Sequence, residues 1–447
     1  MSGIAGIDQP GKQATVKRML EKISHRGNAG KEVRGMKNAT FGIVCADAQV
    51  DSLVQIRQKN EVADGYGAGH LALVKANKDG IILKRDHLGV APLYYGESEE
   101  GAICFASEVK ALISLCSEIK SLPPGCKSDG ERLETYFQLK KREPLDKKVE
   151  FIAEELKELI KSSIEKRIEQ KEGIGSWLSG GLDSSTLAAL TSLYVRKLYT
   201  FATGLDGSPD LEYAREVANY IGSEHHEVVV EFSDLLSVLP DVIFHLESFD
   251  ALLVRSSIMN FLVAEKASEY VYAVLSGEGG DELFAGYHYL KNLEQEELPD
   301  ELIDIMKRLH NTALQRVDRS ASAHGTVAHV CFLDPDVVNY ALRIPPEMKL
   351  HENVEKWILR VAMDGELPEK ILNRKKAKFW KGAGVKNLML NYADKTITDD
   401  DFRLERNLKN GWIINSKEEL MYYRIFKEHF GKLEDLSWMG RTKVVTS

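Results

Sequence analysis

The chain has 447 residues, 43% hydrophobic and 28% charged, values typical of a globular protein with two or three domains. Its formal net charge of −9 argues against a nucleic-acid partner held by bulk electrostatics. No apolar run approaches the roughly 20 residues that span a bilayer, and the N-terminus lacks the basic and apolar segments of a secretory signal. Five cysteines without a metal-ligand spacing indicate reduced thiols. We therefore expect a cytoplasmic protein with no membrane partner.

Residues 1–130 are predicted to form a β-rich domain, because apolar and polar residues alternate between Gly, Asp and Asn turn positions. The strand candidates are residues 41–45, 70–74, 81–84 and 103–106. Residues 131–147 are polar, contain Pro144 and are predicted to be a linker. A second domain is expected over residues 148–447.

The second domain is predicted to begin with a long amphipathic helix, because apolar residues recur at helical spacing from Val149 to Ile168. Strands and helices then alternate: strands at 174–178, 198–203, 226–230 and 271–275, and helices at 184–195, 210–221, 233–247 and 256–269. Such alternation predicts an α/β fold with a doubly wound parallel sheet. Residues from about 281 onward are predicted to be mostly helical.

The residues that join the first predicted strand of this sheet to its helix are Leu178, Ser179, Gly180, Gly181, Leu182, Asp183, Ser184 and Ser185. Two glycines let the backbone approach an anion, and the helix N-terminus and three hydroxyls favour it. Asp183 suits a phosphate site only through a cation such as Mg²⁺. The lysine of a Walker loop is absent. Taken alone, this stretch is also compatible with an ordinary tight turn.

A second glycine-rich loop makes the ordinary turn a poor explanation. Residues 276–282, which begin with Ser276 and Gly277, also follow a predicted strand and open a predicted helix. Ligands of such sheets bind beyond the carboxyl ends of the strands. The two loops together predict a site for a polyphosphate and Mg²⁺, with Asp183 and Asp281 as the metal ligands.

With these loops, most of residues 150–390 resemble the asparagine synthetase and β-lactam synthetase family. The resemblance extends through residues 204–210, 222–227, 332–334 and 374–379, and through residues 25–27, 85–95 and 105–112 of the N-terminal half. It implies an Ntn-type sandwich like that of class II glutamine amidotransferases, followed by an ATP-pyrophosphatase domain.

The activity implied by the resemblance is that of an amide ligase, which converts ATP to AMP while it adenylates a carboxylate and transfers it to ammonia or another amine. Residues 179–184 would then bind pyrophosphate, and Leu178 and Thr203 would line the adenosine. Glu278 would stand near the amine, and Lys376 near the displaced phosphate.

The sequence departs from the family in its glutaminase features. Ser2 stands where the family has a cysteine nucleophile, and a hydroxyl is a weaker nucleophile than a thiolate. Stretches of the Gly-Asn-Gly-Glu and Asp-Thr-Glu types, which bind glutamine in the family, are not found. We therefore expect a degenerate glutaminase domain without activity.

The predicted acid-binding part also departs from the family. Val327 and His329 replace an acid and an arginine, which puts aspartate in doubt as the substrate. Arg255 is a candidate to bind a substrate carboxylate, and an ion pair with Asp250 or Glu265 is its alternative. Three other functions remain open: a β-lactam-type synthetase, a tRNA-modifying or thiolating ATP-pyrophosphatase, and a non-catalytic regulatory or scaffold subunit. A homodimer is one option for the assembly.

Overall fold

The computed structural model describes residues 2–45, 60–66, 68–78, 80–168, 173–375 and 386–443. The strands of the N-terminal half are β1 (Gly3–Ile7), β2 (Gly30–Gly35), β3 (Thr40–Cys45), β4 (Glu61–Tyr66), β5 (His70–Ala76), β6 (Ile81–Arg85), β7 (Tyr94–Ser98), β8 (Ile103–Ala106), β9 (Cys116–Ser121), β10 (Cys126–Ser128) and β11 (Leu133–Thr135). They form two antiparallel sheets, ordered β2-β3-β1-β8-β7-β9 and β11-β10-β6-β5-β4.

The two sheets pack face to face as a sandwich. Ile4 and Phe41 of the first sheet share an apolar core with Val74 of the second. The neighbouring side chains of the first sheet point the other way, because side chains alternate along a strand, and pack under helix α1 (Gln13–Lys22). This explains why β1 and β3 are buried along their whole length.

The second half is built on a parallel sheet. Its strands are β12 (Ile174–Trp177), β13 (Tyr199–Leu205), β14 (Glu224–Val230), β15 (Ala273–Leu275) and β16 (Val327–His329), in the order β14-β13-β12-β15-β16. The chain moves outward from β12 to β14 and then returns to the other side of β12. The sheet therefore has its topological switch point between β12 and β15, where ligands of such sheets bind.

The helices of this half are α2 (Val149–Glu165), α3 (Leu182–Ser192), α4 (Pro209–Ile221), α5 (Phe232–Leu246), α6 (Ala251–Ser268), α7 (Gly280–Leu283), α8 (Leu298–Arg308), α9 (Ala313–Ser322), α10 (Pro335–Ala341), α11 (Pro346–Lys349), α12 (Trp357–Ala362), α13 (Glu369–Leu372), α14 (Lys386–Thr396), α15 (Asp399–Glu405) and α16 (Lys417–Phe430). A short hairpin, β17 (Leu350–His351) and β18 (Val354–Glu355), precedes α12. Among the described residues, no helix is long and apolar enough to cross a membrane.

The predicted fold class is confirmed, including the sandwich, the parallel sheet and the helical C-terminal part. The structure adds β16, which lies in a region predicted to be mostly helical. A strand of three residues is too short to display a period of two, so its sequence gave no signal. The domain boundaries at 130 and 147 stay predictions; β11 lies between them and pairs with β10.

Candidate active site

The two predicted loops meet at the switch point. β12 and β15 are hydrogen-bonded neighbours, so the loops that follow them leave the sheet side by side. Their contact is close: a Cβ atom on Gly277 would lie 2.8 Å from the backbone nitrogen of Ser184. The sheet topology therefore brings together two stretches that are almost a hundred positions apart in the sequence.

The loop after β12 is held open by its own hydrogen bonds. The Ser184 hydroxyl accepts from the Ser179 backbone N–H at 3.2 Å and donates to the Gly181 carbonyl at 3.1 Å. Gly180 has φ +66°, and a Cβ there would lie 2.4 Å from Cβ of Tyr213, so only glycine fits. The loop opens directly into the N-terminus of α3, which gives it the field that favours an anion.

Two carboxylates from different loops converge on one lysine. The ammonium of Lys356 contacts Asp183 and lies 2.5 Å from Oδ1 of Asp281. Lys356 is buried and both carboxylates are largely so. We call Asp183, Asp281 and Lys356, with Glu278 and Arg316 beside them, the loop cluster.

The two aspartates fit a hard cation, because their oxygens already point at a single positive charge. Within the described ranges, no group of three or more His, Cys, Asp or Glu residues is arranged to hold a metal ion. Two protein carboxylates with the remaining ligands from phosphate and water are the usual arrangement for Mg²⁺. The pair therefore suits a metal that arrives with a nucleotide better than one bound by the protein alone.

Two glycines make room for the carboxylates. A Cβ on Gly280 would lie 2.5 Å from Cγ of Asp183. A Cβ on Gly286 would lie 2.0 Å from Oδ1 of Asp281 and 2.3 Å from Cε of Lys356. Either side chain would force a member of the cluster aside.

Lys356 was not found by sequence reasoning. It has φ +58°, an uncommon backbone conformation for a side-chain-bearing residue, and its N–H donates to the Phe284 carbonyl at 3.1 Å. The preceding Glu355 is fixed by ion pairs with Lys291 at 2.6 Å and Arg360 at 3.1 Å. A lysine after a glutamate is an ordinary sequence, so nothing local could have indicated this position.

Glu278, predicted to stand near the amine, lies in the loop after β15 and is paired with Arg316 of α9. Beside it Glu282 is fully buried and accepts a hydrogen bond from Tyr287. Burial, and then the charges of Glu278 and Asp281, raise the pKa of Glu282 to about 8. Glu282 therefore carries a proton at neutral pH.

Arg374 holds the loop after β12 from its outer side. Its guanidinium donates to the Ser179 carbonyl at 3.0 Å, pairs with Asp210 and stacks 4.0 Å from the centre of the Tyr213 ring. Lys376, predicted near the displaced phosphate, lies outside the described residues, two positions beyond Arg374.

The remaining predicted nucleotide residues lie at the strand ends. The Leu178 N–H donates to the Phe201 carbonyl at 2.7 Å. The Thr203 hydroxyl donates to the Val228 carbonyl at 3.1 Å, and Ser276 N–H donates to the His329 carbonyl at 2.8 Å. Their roles in binding adenosine and phosphate stay predictions.

Arg255, the candidate for a substrate carboxylate, lies in α6. It is buried and bound at 3.0 Å to Glu418, which also accepts from Tyr422 at 2.8 Å. The predicted alternative, a pair with Asp250 or Glu265, was therefore right in kind but not in partner. Because Glu418 holds the guanidinium in the core, the structure disfavours a substrate role for Arg255, which stays a prediction.

A second group of buried charges joins the two halves of the molecule. Arg26 donates to Asp64, Glu108 and Asp318 at 2.8 to 3.2 Å, and Arg319 pairs with Glu108, Glu247 and Asp318 at 3.1 to 3.2 Å. We call these six residues the interface cluster. The Ser2 carbonyl accepts from Arg26 Nε at 2.9 Å, and Ser2 is fully buried.

Known proteins match both halves of the chain. The asparagine synthase family model matches residues 155–304 and 292–444, and the glutamine amidotransferase domain model matches residues 59–171. Asparagine synthetase B [glutamine-hydrolyzing] of Escherichia coli is 34% identical over 408 residues, which are 85% of this chain and 73% of that protein.

A probable glutamine-hydrolysing asparagine synthetase of Schizosaccharomyces pombe is 35% identical over 402 residues, 80% of this chain and 71% of that protein. Among solved structures, an NMN synthetase from Francisella tularensis covers 64% of this chain and 98% of its own, at 14% identity and a TM-score of 0.30, too low to bear on function. The chain therefore belongs to the asparagine synthase family, as its resemblance to that family of AMP-forming, ATP-dependent amide ligases implied.

Proposed function

We propose that this chain adenylates a small carboxylic acid with ATP and transfers it to ammonia, without a working glutaminase. The observation that carries the proposal is the pair of loops at the switch point, whose two aspartates converge on one cationic position. This chemistry needs three groups: a loop that binds phosphate at a helix N-terminus, a pair of carboxylates for a metal ion, and a carboxylate near the amine.

A carboxylate and an amine do not condense in water, so its oxygen must first become a leaving group. The N-terminus of α3 and the hydroxyls of Ser179 and Ser184 would bind the pyrophosphate part of ATP. When bound, Mg²⁺ held by Asp183 and Asp281 would neutralise charge on the phosphates. The amine, held at Glu278, would then attack the activated acid.

Glu278 is assigned to the amine because the family resemblance implies that role, and in the structure it lies in the loop after β15, paired with Arg316. A carboxylate there can hold the incoming ammonia and take the proton that its nitrogen loses on attack. Arg316 fixes its direction, as a positioning residue and not a catalytic one.

Ammonia is proposed as the nitrogen source because of the N-terminal half. Ser2 is buried, and its carbonyl is bound by an arginine that has three carboxylate partners. A nucleophile so placed is a poor candidate to meet glutamine, and a hydroxyl needs a dedicated base in any case. The identity of the acid is left to experiment, because Val327 and His329 lie buried in β16 and not in the loops.

The test is a panel of small amino acids and carboxylic acids, incubated with the full chain, ATP and Mg²⁺, and with either ammonium chloride or ammonia-free glutamine. We expect AMP, pyrophosphate and one amide with ammonium, and nothing above background with glutamine. Product should rise with pH at fixed total ammonium, since only neutral ammonia attacks. Chromatography of the nucleotides and mass spectrometry of the amide provide the readout.

Each other outcome corrects a specific part of the proposal. Glutamine serving as well as ammonium would reject the loss of the glutaminase. AMP formed only with an added organic amine would reject ammonia. The S2C variant provides the sharpest check, since glutamine use gained by that one change would mean that the rest of the glutaminase is intact.

A further inference from the structure

We propose that Lys356 is a built-in counter-ion of the metal site: its ammonium occupies the metal position when no nucleotide is bound and is displaced by the metal ion. The inference rests on the proposed function only in assigning Asp183 and Asp281 to Mg²⁺. It adds a residue and an exchange step that the loop motifs do not contain.

The first argument is steric. The Lys356 nitrogen lies 2.5 Å from Asp281 Oδ1 and also contacts Asp183. A Mg²⁺ ion needs oxygens at about 2.0 to 2.1 Å. Ammonium and metal ion cannot both lie between the same two carboxylates, so binding of one requires the other to leave.

The second argument is electrostatic. Two buried carboxylates side by side repel each other, and removing one partner from a buried ion pair costs about 3 to 5 kcal/mol. One ammonium leaves this pair with a single net negative charge, and a divalent ion neutralises both charges. The lysine therefore keeps the empty site assembled without matching the charge of the metal ion.

The third argument is that the lysine is held in this position by surrounding structure. Its backbone is in the left-handed region, and the Lys291 and Arg360 pairs of Glu355 fix the preceding residue. The absence of a side chain at Gly286 leaves the space through which the lysine stem passes. A non-glycine left-handed residue is sustained only where its surroundings determine it, and such residues concentrate at functional sites.

The consequence is a coupling between metal and phosphate. A metal ion alone must displace a paired ammonium, so it should bind weakly. A metal ion that arrives on a polyphosphate brings new anions for the displaced ammonium, which stays within reach because it is on a flexible stem. The site thus favours the metal–nucleotide complex over the free ion.

The test measures Mn²⁺ binding by electron paramagnetic resonance, without nucleotide or substrate, in the wild type and in K356M and K356Q. Without the competing ammonium, both variants should bind Mn²⁺ at least about tenfold more tightly than the wild type, and Mn²⁺ should raise their melting temperature. The matched control is K157M, which removes a partly buried lysine that pairs with Glu154 and Glu366 and has no part in the loop cluster. It should leave Mn²⁺ affinity within twofold of the wild type.

The gain must also depend on the carboxylates, so the double variant D281N/K356M should lose it. Equal Mn²⁺ affinity in wild type and K356Q would overturn the inference, as would an equal gain in K157M. If K356M does not fold alone, Mn²⁺ should restore its circular dichroism spectrum; failure of both variants to fold with Mn²⁺ would also reject the exchange. Because these measurements need no turnover, they succeed or fail independently of the ligase assay.

Discussion

The loop cluster and the interface cluster are both made of buried or largely buried charged residues, but they differ in the number of partners that each charge has. In the interface cluster each arginine has three carboxylate partners, and the partners come from both halves of the chain. In the loop cluster two carboxylates share one lysine at the open end of a parallel sheet. Charges with several fixed partners hold a structure together, whereas charges balanced by one exchangeable cation are prepared for a ligand.

The largest effect is expected when the loop cluster loses a metal ligand. D281N should reduce AMP formation at least about a thousandfold, because phosphate charge is then left uncovered in a largely buried site. Product chromatography measures it, and circular dichroism should show the fold retained. D241N, an exposed carboxylate on α5, is the control. Near-normal AMP formation by D281N would remove Asp281 from the metal site.

A substitution in the interface cluster should reduce stability and leave AMP formation unchanged. R26M removes a buried partner from Asp64, Glu108 and Asp318. We therefore expect the free energy of unfolding to fall by about 3 to 5 kcal/mol. Urea denaturation measures the change, and the exposed R18M on α1 should stay within about 0.5 kcal/mol of the wild type. Ammonia-dependent AMP formation per folded molecule should not change. A specific loss of turnover in folded R26M would make the cluster more than structural.

Substitution of Glu278 should separate the two steps, adenylation and amide formation. E278Q should reduce amide formation about a hundredfold, the usual contribution of a general base, while adenylation measured by ATP–pyrophosphate exchange should fall much less. R316M should also reduce amide formation more than adenylation, with a smaller loss than E278Q. Equal loss in both steps would assign Glu278 to the phosphates or to the loop itself.

The smallest effect is expected for substitution of Glu282, which should change how stability depends on pH. Its pKa is raised to about 8 in the fold and is near 4.3 in an unfolded chain, so between these values only the folded state keeps the proton. The free energy of unfolding of the wild type should therefore fall as pH rises through this window. E282Q has no proton to lose at this position, so its free energy of unfolding should lack this dependence. We expect E282Q to gain about 1 kcal/mol on the wild type between pH 6 and 7. A pH-independent difference in melting temperature would contradict the raised pKa.

The parts of the site that sequence predicted are the parts that are local. The loop after β12 combines glycines, hydroxyls and Asp183 within eight residues, and the strand before it makes its direction predictable. Lys356 and its partner Asp183 are 173 positions apart, and Arg255 and Glu418 are 163 apart. Such pairs depend on which helices pack together, which no local pattern encodes. The same reason explains why the pairing of Arg316 with Glu278 was not predicted, whereas β16 is too short to show a strand pattern.

The pairing of Arg26 with Asp318 has a consequence for how the protein is made. The two residues are 292 positions apart, so at about 5 to 20 residues per second Arg26 leaves the ribosome roughly 15 to 60 s before its partner. During that interval the arginine has only carboxylates of its own half to pair with. The N-terminal sandwich can complete its buried charges only after most of the synthetase half has been translated. Truncated nascent chains that stop before α9 should therefore be more sensitive to proteases in their first hundred residues than the finished protein is.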